Sequence, residues 1–233
     1  MSRRHRVMEQ VAVIGLGRFG LAVARTLIAD GHEVLGIDES EEAVQRSRDV
    51  VTHALQAVVY DAARVQELGL SHVDAAVMAI GTDVEANILG TALLVEAGVP
   101  YVVARANSPL HGLILSRVGA HRVVYPEVAS GEEIARGLRA PGMTGYIALG
   151  PEAGISTVTA QSEWVGQPVG ALSLANYRAS TTLAIHRAGH VSMAITPEER
   201  VREGDVLVLL TREGGVGMDA NGTARIWPRR KRG

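Results

Sequence analysis

The chain has 233 residues, 47% of them apolar, which suffices for one large domain or two modest ones with a sizeable core. A formal net charge of −2 gives no overall bias toward nucleic acid, and no run of 18 apolar residues offers a membrane span. Cysteine is absent and Lys231 is the single lysine, which excludes disulfides, thiolate chemistry, the G-K-[ST] phosphate loop and lysine catalysis in the folded part.

The opening Met-Ser-Arg-Arg-His-Arg lacks the apolar stretch of a signal peptide, and its arginines read as a solvated tail. Val11 to Ile14 then reads as a buried parallel strand, and Arg18 to Asp30 carries Val23, Ala24, Leu27 and Ile28 at helical spacing. Glu33 to Ile37 is a second strand, Val51 to Val59 a third, Asp61 to Leu68 a short helix and Asp74 to Ile80 a fourth strand. Thr82 to Ala97 reads as a helix capped near Thr82 or Asp83 and stopped by Gly98. Pro100 to Arg105 is a fifth strand, Pro109 to Val118 a helix, and His121 to Tyr125 a sixth strand. Strands alternating with helices predict a Rossmann-like doubly wound parallel sheet over residues 9–127.

Gly131 to Arg139 reads as an amphipathic helix with Ile134 and Leu138 on one face, and Pro141 to Gly145 as a hinge, so that 128–145 is a crossover. Beyond it Ser156 to Ala160, Thr182 to His186, Val191 to Ile195 and Val206 to Thr211 read as short strands. Ala188-Gly189 reads as a hairpin turn and Pro168 to Leu174 as one helix. A small α+β domain over 146–212 follows, one that leans on a partner for its core, and 213–233 reads as a disordered, finally basic tail.

Between the first strand and helix lies Gly15-Leu-Gly17-Arg18-Phe19-Gly20, and the second strand ends at Asp38, 18 residues after Gly20. Gly15 suits a tight turn, Gly17 a close backbone approach to phosphate, and Gly20 close packing of helix on strand. The helix N-terminus offers free N–H groups and a positive dipole end to an anion. Asp38 can accept from both hydroxyls of an adenosine ribose and repels a 2′-phosphate, so the constellation points to an adenine nucleotide whose ribose is unphosphorylated, and disfavours NADP.

Gly15 to Gly20, Ala79-Ile-Gly-Thr-Asp83, Ala104-Arg-Ala-Asn107, Gly119 to Glu127 and Val201 to Val208 occur in an order that resembles the KtrA/TrkA family of regulatory subunits of bacterial potassium transporters. The likeness runs from about residue 9 to 212. It implies an N-terminal RCK Rossmann domain and a small C-terminal TrkA-C domain. It also implies a homo-oligomer, an octameric ring, and a cytoplasmic place on the inner membrane face beside a KtrB/TrkH-like membrane subunit. Arg18 matches the family arginine that reaches terminal phosphates, Asp38 the ribose acid, and Arg105 a basic residue closing the fifth strand. Glu127 matches a glutamate that approaches a neighbouring subunit's γ-phosphate through a cation (Mg2+, Ca2+ or Na+), and is the metal candidate. Phe19, Glu39, Ile80 and Gly81 complete the implied nucleotide site. In some relatives the second domain binds cyclic di-AMP through Arg-x-x-Tyr-Gly; here Tyr177-Arg178 lacks the Tyr-Gly, a departure from that pattern.

Read as residues alone, Arg105 also suits a surface ion pair and Glu127 a helix-start acid. A dehydrogenase would share the glycine loop but needs an acid or base in the second domain. Only His186 and His190 lie there as histidines, without a third ligand spaced for a metal. The reading is therefore a non-enzymatic nucleotide-binding regulator. The alternatives are an NAD-dependent oxidoreductase or a nucleotide sensor unrelated to ion transport.

Overall fold

A strand that is apolar on both faces must be covered on both, and Val11 to Ile14 is such a strand. In the computed structural model, which describes residues 9–138, 142–150, 153–177 and 179–212, these residues lie within β1 (Gln10–Ile14) at the centre of a parallel sheet. Its neighbours are β2 (Glu33–Asp38) and β4 (Ala75–Met78), with β3 (His53–Gln56), β5 (Val102–Arg105) and β6 (Arg122–Val124) outside them, in the order β3-β2-β1-β4-β5-β6. This is the doubly wound arrangement, and strand order reverses between β1 and β4.

Alternate residues of β1 enter different cores. Ala12 and Ile14 pack with Met78, Val65, Leu94 and Leu115, the last three from α3 (Ala62–Glu67), α4 (Val84–Glu96) and α5 (Pro109–Arg117). Val11 and Val13 pack with Val34, Val77, Ala24 of α1 (Arg18–Ala29), and Ala43 and Val44 of α2 (Glu41–Ser47). Asp83 is the cap of α4, its Oδ1 accepting from the N–H of Ala86 at 2.9 Å.

The sequence reading passes from β2 to β3 without α2. Only Ala43, Val44 and Ser47 of that helix are buried, too few for a periodic signal, although the Ser40 cap and acidic Glu41 and Glu42 mark its start. The third strand is shorter than the 51–59 expected, with Val51 and Val59 buried beyond its ends. The helix expected from Gly131 begins earlier, as α6 (Pro126–Gly137), and Ile134 and Leu138 are both exposed.

The chain divides into two compact units after Val128. The second is an antiparallel sheet of β7 (Met143–Ala148), β8 (Ala153–Thr159), β9 (Ala179–Arg187), β10 (His190–Ser192) and β11 (Val206–Arg212), ordered β10-β9-β11-β8-β7. Val158, Ile185, Leu207 and Leu209 form its core with Trp164 and Tyr177, whose rings meet edge to face at 5.2 Å. Arg187 forks onto the fully buried Asp205, both bonds 2.7 Å long, and reaches Glu199 at 2.8 Å. Ala188 and Gly189 turn the β9–β10 hairpin with φ of 49° and 83°, the paired positive values of a tight primed turn.

Three readings of this unit are corrected. Met143 to Gly145, expected as hinge, opens β7. Pro168 to Leu174 is not a helix; it holds only a 3-10 turn at Val169–Ala171, because Pro168 and Leu172 on either side are extended, with ψ of 141° and 134°. The N–H of Val169 donates to the carbonyl of Glu199 and that of Gly170 to the carbonyl of Pro197, at 2.8 and 2.9 Å, which ties the segment to a distant stretch. The strand expected to run to Ile195 ends at Ser192. Arg178, Pro141 and the 213–233 tail lie outside the described residues, among which no helix is long and apolar enough to cross a membrane.

Candidate functional site

The site candidates of the first unit gather at the C-terminal ends of the parallel strands, where the order reverses. Gly15 ends β1 with φ of 95°, a conformation costly for any side chain, and its N–H donates to Ile37 of β2. A Cβ on Gly15 would lie 2.8 Å from the nitrogen of Ile80, so the loop is seated directly on the end of β4. A Cβ on Gly20 would collide with the carbonyl oxygen of Gly15, which places the first turn of α1 against the loop. A Cβ on Gly17 would meet nothing within 4 Å. The bare backbone there faces open space.

Helix α1 begins at that opening. Gly17 is its N-cap and supplies no side-chain cap, whereas Ser40, Asp61, Asp83 and Ser108 each cap the helix that follows them. The first amides of α1 therefore point outward with the positive end of the helix dipole behind them. Arg18, in this first turn, is exposed. Unpaired amides at the start of a helix can donate hydrogen bonds to no residue of their own turn and are suited to an anion.

Asp38 sits beside the loop and holds it. Its Oδ2 accepts from the N–H of Leu16 at 2.6 Å and its Oδ1 from the N–H of Ser40 at 2.9 Å. An ionised carboxylate has about four lone-pair sites, so two remain for the hydroxyls of a ribose. Glu39 is exposed, and its carbonyl accepts from Gln56 at 3.0 Å.

Across the crevice Arg105 ends β5. Its guanidinium lies against Gly81, where any Cβ would strike it, and 6.0 Å from the ring of Phe19. It forms an ion pair with Glu127 at the start of α6, so these two candidates meet within one chain. The Nε of Arg105 is buried without a partner among the described residues. Glu127 itself is 63% exposed in its side chain. It is a single carboxylate already facing a cation, and no group of three or more acidic or imidazole ligands occurs among the described residues. A metal ion there would take Glu127 as one donor and draw its other oxygens from a phosphate.

Sequence reasoning missed three residues behind this surface. Asn87 of α4 is fully buried, and its Nδ2 donates to the carbonyls of Ile80 at 2.5 Å and Arg105 at 3.1 Å. Asn107 donates to the carbonyl of Gly81 at 3.3 Å, and its Oδ1 lies 2.8 Å from Nδ1 of the buried His111. Burial pushes the His111 imidazole below its ordinary pKa. The available signal was polar residues lying in an apolar helical stripe: Asn87 and Thr91 precede Leu94 on the buried face of α4.

A hollow of about 330 Å3 opens beyond β3, lined by Val58, Tyr60, Asp61, Ala63, Arg64 and Glu67. In the second unit His186 and His190 are exposed about the hairpin turn.

The family model for the TrkA-N domain matches residues 11–126. The chain is 33% identical to the Ktr system potassium uptake protein A of Bacillus subtilis (strain 168), over 87% of this chain and 91% of that protein. It is 31% identical to the Ktr system potassium uptake protein A of Vibrio alginolyticus, over 87% of this chain and 92% of the other. Among solved structures, the GsuK RCK domain superposes with a TM-score of 0.62 at 13% identity, and the GsuK channel bound to NAD with 0.60 at 14%. Each covers 90% of this chain, which spans 46% and 38% of theirs, less than half; at such identity the likeness is one of fold.

Proposed function

Because this chain belongs to the KtrA/TrkA family of RCK regulatory subunits, we propose that it is a nucleotide-binding regulator of a membrane potassium-transport system and catalyses no reaction of its own. The observation that carries the reading is the uncapped, open N-terminus of α1 beside a carboxylate anchored on the same loop. The backbone after Gly15, with Gly17 and Gly20, holds the phosphates, Arg18 reaches the terminal one, and Asp38 takes the ribose. Phe19, Glu39, Ile80 and Gly81 shape the walls. The ligand is ATP or ADP. NAD(H) is a second reading, since Asp38 accepts any ribose without a 2′-phosphate, and the fold neighbour GsuK is a channel bound to NAD.

ATP and ADP differ by one phosphate, so a regulator that separates them must sense the γ-phosphate. Arg105 and Glu127 carry out this sensing, a reading supported by their ion pair beside Gly81. A glutamate near a phosphate repels it unless a cation lies between them, so Glu127 acts with a divalent ion or Na+. Its exposed side chain suits a phosphate held by a second copy in a ring, from which the nucleotide acts on a KtrB/TrkH-like membrane subunit at the cytoplasmic face.

Calorimetric titration of the chain with ATP, ADP, NAD and NADH tests the reading. Saturable binding of ATP or ADP, with Glu127→Gln sparing ADP and weakening the cation dependence of ATP, is the expected result. Failure of all four to bind would overturn the function. Unchanged cation-dependent ATP binding in Glu127→Gln would overturn the role of that residue.

A further inference from the structure

The ladder between β4 and β5 stops one step short of the site. Its last partners are Met78 and Ala104, while the groups that face the crevice are Ile80, Gly81 and Arg105 just beyond. Past Met78 the paired register of the two strands ends. The carbonyls of Ile80 and Arg105 are both taken by one side-chain amide, the Nδ2 of Asn87. Two acceptors fix which end of the carboxamide faces them, because Oδ1 would repel both.

We propose that Asn87 is a positioning residue of the nucleotide site: its buried amide joins the ends of β4 and β5 and thereby sets both walls of the crevice. This rests on the reading of the crevice as a nucleotide site. Ile80 is the residue against which Gly15 is seated, so a shift of its backbone moves the phosphate loop. Arg105 is the last residue of β5, and the direction of its guanidinium over Gly81 toward Glu127 follows from where its backbone is held. Asn107 holds the carbonyl of Gly81 in the same manner and is itself oriented by His111. The wall of the site is thus fixed by side chains from α4 and from the loop before α5 that need not touch the ligand. A hydrophobic isostere cannot replace them, since it leaves two buried carbonyls unpaired.

The test compares Asn87→Leu and Asn87→Asp with Thr91→Val. Thr91 is equally buried one turn further along α4, and its hydroxyl donates to the backbone carbonyl of Asn87 at 2.7 Å, so its loss disturbs the helix at Asn87 while leaving the Asn87 side-chain amide in place. Thr91→Val therefore reports the effect of disturbing this helix alone. Nucleotide affinity is measured by calorimetry below the melting transition, and the amide resonances of Gly15, Ile80 and Gly81 are recorded before ligand is added. Both Asn87 variants should weaken binding roughly tenfold or more and shift the three resonances, while Thr91→Val does neither. Should Asn87→Leu fail to fold, Asn87→Ser serves, since a serine can satisfy itself on its own helix yet releases both carbonyls. Wild-type affinity in the folded Asn87 variants, or an equal loss in Thr91→Val, overturns the proposal. Absence of any nucleotide binding by the wild-type chain overturns instead the reading on which it rests.

Discussion

Asp38→Ala probes the site at its anchor. The carboxylate accepts from two backbone amides, Leu16 at 2.6 Å and Ser40 at 2.9 Å, so the substitution leaves both donors without it. A hydrogen bond to a charged acceptor contributes about 1.5–3 kcal/mol when buried. Asp38 is only partly buried, water recovers part of each bond, and the pair together contributes about 2–3 kcal/mol to holding the loop. If a ligand needs the loop in that place, its affinity falls by the same free energy, roughly 30- to 150-fold. Any hydrogen bond from the ribose to the carboxylate deepens the fall. The assay is calorimetric titration of wild type and variant with each nucleotide that the wild type binds, both chains first shown to be folded by circular dichroism. Asp38→Asn sharpens it: one terminal atom becomes an NH2 group aimed at a backbone N–H, so the isostere should not restore binding. Unchanged affinity in Asp38→Ala, or full affinity in Asp38→Asn, would refute the reasoning.

Gly17→Ala and Gly20→Ala should separate binding from folding: Gly17 has open space and φ of −71°, so its variant should melt within about 0.5 kcal/mol of wild type yet bind nucleotide more weakly. Gly20→Ala collides with the Gly15 carbonyl and should lose stability, read by thermal melting; a Gly17 variant that binds normally would clear phosphate from that opening. Asp205→Ala removes the buried partner of Arg187 and should cost about 3 kcal/mol in urea unfolding. The Arg187 bond holds the Asp205 carboxyl below its ordinary value. Its stabilisation is therefore complete above an unfolded pKa of about 3.9 and is lost as pH falls through the lower folded value, an acid limb that Asp205→Ala should flatten. His111 is held below an unfolded pKa of about 6.5 by burial, so the neutral ring stabilises fully above that pH. That stabilisation falls away as pH drops through the lower folded value, and His111→Asn should remove this limb from a plot of melting temperature against pH.

The parallel sheet was legible because a strand buried on both faces leaves an unbroken apolar run, and because Asp83 and Gly98 punctuate α4 by local chemistry alone. The short α2 was not, since of its three buried residues only the adjacent Ala43 and Val44 are apolar, and two neighbours carry no period. Pro168 to Leu174 carries an apolar pattern compatible with a helix, but the amides of Val169 and Gly170 bond to residues 199 and 197, some 30 positions away, which no local pattern records. The same division runs through the site. Gly15, Gly17 and Gly20 were readable together because the constraint on each is local, a turn, an open backbone and a close contact, whereas the bond of Asp38 to Leu16 spans 22 residues. The meeting of Arg105 with Glu127 across 22 residues, and the hold of Asn87 on Ile80 and Arg105 together, are products of tertiary packing. By itself the sequence determined the alternation of elements and the glycine turn that follows the first strand, because backbone conformation and hydrophobic period are properties of neighbours along the chain. Tertiary structure alone decided which buried amide bridges the strand ends and which charges face each other, because those depend on distances between segments that the chain order leaves free.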